Sequence, residues 1–128
     1  MSDPDAAPSS DPVLITMPPY GEVTPRGMIS GGWILSQIDV AVGLAGARIA
    51  GGDVLIVKIS ALVFLGPLHA GEAFTMHLDP TRFGSSSVTV DLSAFAGSGP
   101  DLRTILNAKV ILVAVDEDGR PRKIDKSE

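Results

Sequence analysis

At 128 residues, with 45% apolar and 20% charged side chains, the chain has the balance of one globular domain, long enough to bury a compact core. The absence of cysteine excludes disulfides, thiolate metal sites and a cysteine nucleophile, and accords with a reducing, cytoplasmic setting. A formal charge of -5, from 15 acidic against 10 basic residues, disfavours a nucleic-acid partner and leaves any anionic ligand dependent on local positive charge or backbone donors.

Residues 1–12 (MSDPDAAPSSDP) lack the basic start and apolar centre of a signal peptide and read as a disordered acidic leader. A single domain is expected over 13–124 and a polar tail over 125–128. Residues 13–17 are a short β-like run closed by Pro18 and Pro19, and 20–29 read as a loop broken by Gly21, Pro25 and Gly27.

Residues 31–50 read as one long helix, opened by Gly31 and Gly32 and stopped by Gly51 and Gly52. Apolar residues surround its axis, so burial on every side is expected. The stretch from 27 to 50 is apolar enough to suggest a membrane span, but Asp39 and Arg48 interrupt it, and a buried helix with no membrane contact is the better reading.

Residues 54–65 are apolar on both alternating sets apart from Lys58 and Ser60, the pattern of a strand covered on both faces. Turn residues follow from Gly66 to Glu72. Phe74, Met76 and Leu78 alternate with Thr75, His77 and Asp79, and Val88, Val90, Leu92 and Ala94 with Thr89, Asp91 and Ser93: two strands with one wet face each. A last strand runs inward through Leu106, Ala108, Val110, Leu112 and Ala114. Its outer set turns apolar at Ile111, Val113 and Val115, which points to a partner chain over that half. An α+β fold results, an antiparallel sheet wrapped around one central helix, at least dimeric.

Asp39 is the informative side chain. A carboxylate in an apolar helix needs a hydrogen bond, a cation or a water-filled cleft, and its helical neighbours Leu35, Ser36, Val42 and Gly43 offer no cation. It is either a solvent-reaching residue on the helix edge or a general base or nucleophile in a cleft. Gly31 and Gly32 are either a tight turn or bare amide donors at the positive helix start, suited to an oxyanion. Gly32 and Asp39 are seven positions apart, about two turns, and so are expected to share a face within one substrate length. His69 and His77 have neither triad nor metal-ligand spacing and read as exposed. Trp33 reads as core packing or a pocket wall. Ser85, Ser86 and Ser87 after Gly84 form a solvated turn or donate to a phosphate or pantetheine.

The strings GMISGGWILSQIDVAVGLAGARIAGG, VFLGPLHAGE, RFGSSSVTV and VILVAVDEDGRPR together resemble the acyl-CoA thioesterases of the YciA type, over about residues 13–123. The resemblance implies the hot-dog fold, edge-strand pairing into dimers and often hexamers, and hydrolysis of acyl-CoA to free acid and CoA without metal or cofactor. It places the catalytic aspartate on Asp39 and the carbonyl-polarising amides around Gly31 and Gly32. The site then lies at a dimer interface, with CoA across neighbouring subunits and substrate contacts at Gly31, Trp33, Arg82, Gly84, Ser85, Ser86 and Ser87. One departure stands out. The family reads Asn-x-x-Gly-Asp before the glycine pair, whereas this chain has Thr24-Pro25-Arg26-Gly27-Met28. Thr24 takes the position of a catalytic asparagine with one donor instead of two, and losing an oriented donor costs roughly 10²–10³ in rate. Ser85 likewise stands where a basic residue is usual, with Arg82 just before it. The alternative function is therefore a hot-dog protein that binds acyl-CoA or acyl-carrier groups with little turnover. A dehydratase is disfavoured, because the helix has no histidine.

Overall fold

A computed structural model describes residues 10–124. Residues 1–9 of the expected leader and 125–128 of the expected tail lie outside this range. The elements in order are β1 (Leu14–Thr16), α1 (Gly31–Ala50), β2 (Val54–Phe64), β3 (Phe74–Phe83), β4 (Ser87–Ala96) and β5 (Arg103–Ala114), with 3-10 turns at Tyr20–Glu22 and Gly99–Asp101. The strands form one antiparallel sheet in the order β1-β3-β4-β5-β2, so β1 and β2 are its edges.

The alternating sets expected to face inward do so. Phe74 and Met76 of β3, Val88 and Val90 of β4, and Leu106, Val110 and Leu112 of β5 are fully buried. Across them lies α1, pressing Ile34, Ile38, Ala41, Val42, Ala45 and Ala50 into the core. Small residues let the helix approach closely. At Gly46 a Cβ would collide with the side chain of Val54, at the start of β2.

Both helix ends are closed. Ser30 is the N-cap, its Oγ accepting the Trp33 amide at 3.1 Å. Gly51 follows the last turn at φ +75°, the left-handed conformation glycine tolerates. Arg122 returns to donate through Nη2 to the Ala50 carbonyl at 3.0 Å and through Nε to that of Val115 at 3.0 Å. A cation on the last carbonyls complements the helix dipole.

Three expectations need correction. The helix is not buried on every side. Only one face meets the sheet, while Leu35, Val40 and Leu44 are 42%, 46% and 54% exposed. By length and composition α1 resembles a membrane span, yet its other face packs on the sheet. Nor is β2 covered on both faces. It is an edge strand with bulges after Ile56 and Ser60, and Leu55, Val57 and Val63 are about half exposed. The hydropathy of both segments is greater than one copy of the chain covers. On β5, Ile111 and Val113 are half-buried, but Val115 is buried within the chain, where residues 120–124 double back. The third correction is His77, which is 3% exposed. Its Nδ1 donates to the Ser10 carbonyl at 2.9 Å, which in the neutral ring leaves Nε2 to accept from the Thr75 hydroxyl at 3.1 Å. Phe95 meets the ring edge-on at 5.3 Å. His69 is exposed, as expected.

Candidate active site

The segment leading into α1 is a tight hairpin. Val23 bridges Ile29, and the Thr24 amide donates to the Met28 carbonyl at 2.8 Å. The Gly27 amide closes a turn onto the Thr24 carbonyl, with Pro25 at its second position and Gly27 at φ +85°. Thr24 also donates its hydroxyl to the Met28 carbonyl, at 2.9 Å. That proton holds the turn.

Beyond the hairpin the helix presents its first amides. The Ser30 hydroxyl takes the Trp33 amide and the Ser30 carbonyl takes that of Ile34. Among the described residues nothing accepts from the amides of Gly31 and Gly32, as a helix start dictates. Space around Gly32 is open to at least 4 Å from where a Cβ would stand, and at Gly31 the nearest atom to that position is on the Phe64 ring, 3.9 Å away.

Gly31 lines a cleft of about 500 Å³. Met28, Ile29 and Ile34 form one side with it, and residues 64–68, from the end of β2 into the β2–β3 connection, form the other. Nearly all these side chains are apolar, so the cleft suits an apolar group ending beside the unpaired N–H of Gly31. Met28 extends the apolar wall. Trp33 is half-buried, packs tilted against Phe74 at 5.7 Å and 53°, and anchors the helix start without lining the cleft.

Asp39 lies on the exposed face of α1 and has no ion pair or hydrogen bond with another described residue. Seven residues along a helix is a rise of about 10 Å, beyond the reach of a carboxylate to a group held at Gly32 of the same chain.

Arg82, Gly84, Ser85, Ser86 and Ser87 lie at the β3–β4 turn, at the opposite end of the sheet. Ser87 pairs with Val113 and Phe64 with Leu106, so about seven strand residues, roughly 23 Å, separate turn from cleft. The Ser85 and Ser86 carbonyls accept from the amides of Ile124 and Ala114, fastening the returning C-terminal segment. One copy of the chain thus gathers Thr24, Gly31, Gly32 and Trp33 at the helix start, and holds Asp39 and the serine turn apart from them.

Unexpected from sequence is an ion pair behind the cleft. Arg103, first residue of β5, grips Glu72 with both nitrogens at 2.8 and 2.7 Å. The Arg103 hydrogen bond is the main cause holding the Glu72 carboxyl below its ordinary range, against partial burial. The same contact raises the Arg103 guanidinium. The two residues stand 31 positions apart, a separation at which opposite charges give no local signal.

The sequence profile of the Thioesterase superfamily matches residues 26–102, more than half of the chain, from the hairpin through the cleft wall to the residue before β5. The chain belongs to the thioesterase superfamily. An uncharacterized acyl-CoA thioester hydrolase of Buchnera aphidicola (subsp. Schizaphis graminum) is 32% identical to this thioesterase-superfamily chain, over 88% of it and 87% of the relative. The acyl-CoA thioester hydrolase YciA of Salmonella typhimurium is 29% identical over 97% of both. Among solved structures, the hexameric hotdog fold thioesterase of Campylobacter jejuni superimposes with a TM-score of 0.83 at 27% identity, covering 91% of this chain and 92% of that one. The helix-in-sheet architecture expected from the sequence is this hotdog fold.

Proposed function

We propose that the protein hydrolyses the thioester of an acyl-CoA, with Asp39 as general base or nucleophile and the amides of Gly31 and Gly32 stabilising the oxyanion. The observation that carries this reading is an unpaired helix start, with Gly31 lining an apolar cleft and Gly32 next to it, and a carboxylate on the same helix. In the general-base form, a water proton passes to Asp39 as the water oxygen adds to the carbonyl carbon. The carbonyl electrons move to the oxygen facing the amides. Collapse then breaks the C–S bond, and the CoA thiolate leaves and is protonated. In the nucleophile form, the Asp39 carboxylate adds to the carbonyl carbon, the C–S bond breaks and the CoA thiolate leaves and is protonated, and water then cleaves the mixed anhydride to free acid and the Asp39 carboxylate.

The rise of about 10 Å between Gly32 and Asp39 favours a site shared between two copies, donors from one and carboxylate from the other. An isologous pair of chains supplies that arrangement twice. It also covers the open face of α1 and the β2 edge, and brings sheet ends from different copies together, where the Arg82–Ser87 turn can meet CoA. The relatives' naming as acyl-CoA thioester hydrolases and the hexameric neighbour support this reading.

The Thr24 hydroxyl, held by Met28, favours a second reading, an acyl-CoA-binding protein with little turnover. Incubation with a panel of acyl-CoAs and a thiol reagent separates the two. Hydrolysis predicts CoA release that falls at least about tenfold in Asp39→Ala. Equal release from both proteins removes Asp39 from the mechanism, and tight binding without release selects the second reading.

A further inference from the structure

The cleft wall is held from behind by residues that do not line it. Arg103 contacts Glu72 through both terminal nitrogens, and its Nη2 also donates to the Pro67 carbonyl at 2.9 Å. Glu72 uses Oε1 a second time, accepting the His69 amide at 2.7 Å. Between these two anchor points lies Leu68, whose carbonyl accepts the Ile29 amide at 2.8 Å, two residues before α1 begins. On the other side of Pro67, the Leu65 amide donates to the Ile105 carbonyl at 2.7 Å, two residues along β5 from Arg103. The pair therefore holds the β2–β3 connection on both sides of Leu68, at the Pro67 carbonyl and the His69 amide, and Leu68 in turn holds Ile29.

We propose that Arg103 and Glu72 are positioning residues. They fix the β2–β3 connection against the helix start, and so set the width of the apolar cleft and the acyl groups it admits. This rests on the hydrolase reading for its chemistry, though the mechanical part stands without it. Within the wall Leu68 is 1% exposed and set in the core, but the stretch before it has no such anchor. Gly66 and Pro67 carry no side chain that reaches across, and Phe64 and Leu65 are about 40% exposed or more. A planar guanidinium that serves a carboxylate and a carbonyl at once sets angle as well as distance, which an ammonium does not. Misplacement of a substrate-holding wall by about 1 Å is enough to cost a large factor in productive binding.

Arg103→Lys keeps the charge pair and removes the second arm to Pro67. Glu72→Gln keeps the shape and weakens both anchors. In each, the proposal expects the KM for a long-chain acyl-CoA, relative to acetyl-CoA, to rise at least about fivefold with kcat for acetyl-CoA held. It also expects amide exchange at Ile29, which neither side chain touches, to accelerate, with Val110 in the sheet centre still protected. A purely structural pair would lower the melting temperature and leave the KM ratio of the folded enzyme unchanged. Unchanged Ile29 exchange in both variants overturns the proposal, and so does faster exchange with an unchanged KM ratio. Should the wild-type protein release CoA from no acyl-CoA, the hydrolase reading fails and the chain-length claim fails with it, while Ile29 exchange still decides whether the pair holds the wall.

Discussion

Thr24 shows what one donor more or less does at this site. Its hydroxyl proton is committed to the Met28 carbonyl, so no donor is left to orient a substrate oxygen. An asparagine amide has two N–H donors: one can keep the bond to Met28 while the other faces the cleft. Thr24→Asn is therefore expected to raise kcat for acyl-CoA hydrolysis, and a steady-state assay giving an unchanged or lower kcat counts against this account. Thr24 was singled out because Gly27 keeps the spacing of the family motif, and Asp39 because it is a charge no neighbouring turn could neutralise. His77 was not. Alternation correctly put it on the sheet face away from the helix, but could not tell that the chain at Ser10 lies over that face. Arg103 and Glu72 escaped for a related reason: each looked like an ordinary charge near a turn, and only the fold brings them together.

At the level of elements, α1 is defined by its glycines. Gly31, Gly32 and Gly51 mark its ends in sequence as in space, and Gly46 permits its contact with β2. Val54 is β-branched and stiff at χ1, so it cannot swing away from an added methyl. Gly46→Ala is expected to destabilise the fold by about 1–3 kcal/mol, despite alanine's better helix propensity, read as a lower denaturation midpoint at unchanged m-value. A stabilised variant would mean that helix and strand part more easily than their packing implies. The connection between β2 and β3 adds a pH signature. Contact with Arg103 lowers the folded-state pKa of Glu72, so its contribution is complete above the ordinary value near 4.5 and disappears as pH falls through the lowered one. The melting-temperature difference between wild type and Glu72→Gln should thus be constant from neutral pH to about pH 5 and shrink in more acid solution. A difference that grows toward acid would contradict the sign. Exposure of both side chains keeps this contribution small. What element-level reading misjudged was the extent of cover, since all-round hydropathy says that a helix is covered without saying by which chain.

Across the whole molecule, that unmet need for cover and the separated site groups have one answer. The open face of α1 carries Leu35, Val40 and Leu44, and β2 offers an unpaired edge in which Lys58 is the one charged residue, a template for another strand. A second copy that shields both would bring its own Asp39 toward the bare amides of the first. Complementation tests this directly. Gly32→Pro removes an amide donor where the helix start makes no backbone bond, and Gly31 before it lacks the Cβ that proline would crowd. Asp39→Ala removes the carboxylate. Each alone is expected to be nearly inactive. If donors and carboxylate come from different chains, a co-expressed equal mixture forms mixed pairs in which one site combines both defects and the other has neither. With random pairing, activity then returns to about a quarter of the wild-type level, because half the pairs carry one intact site of two. If each chain builds its own site, no combination restores both groups and the mixture stays as inactive as its parents. Light scattering on the same samples must show pairs or larger assemblies at micromolar concentration; an active monomer would remove the need for a partner altogether.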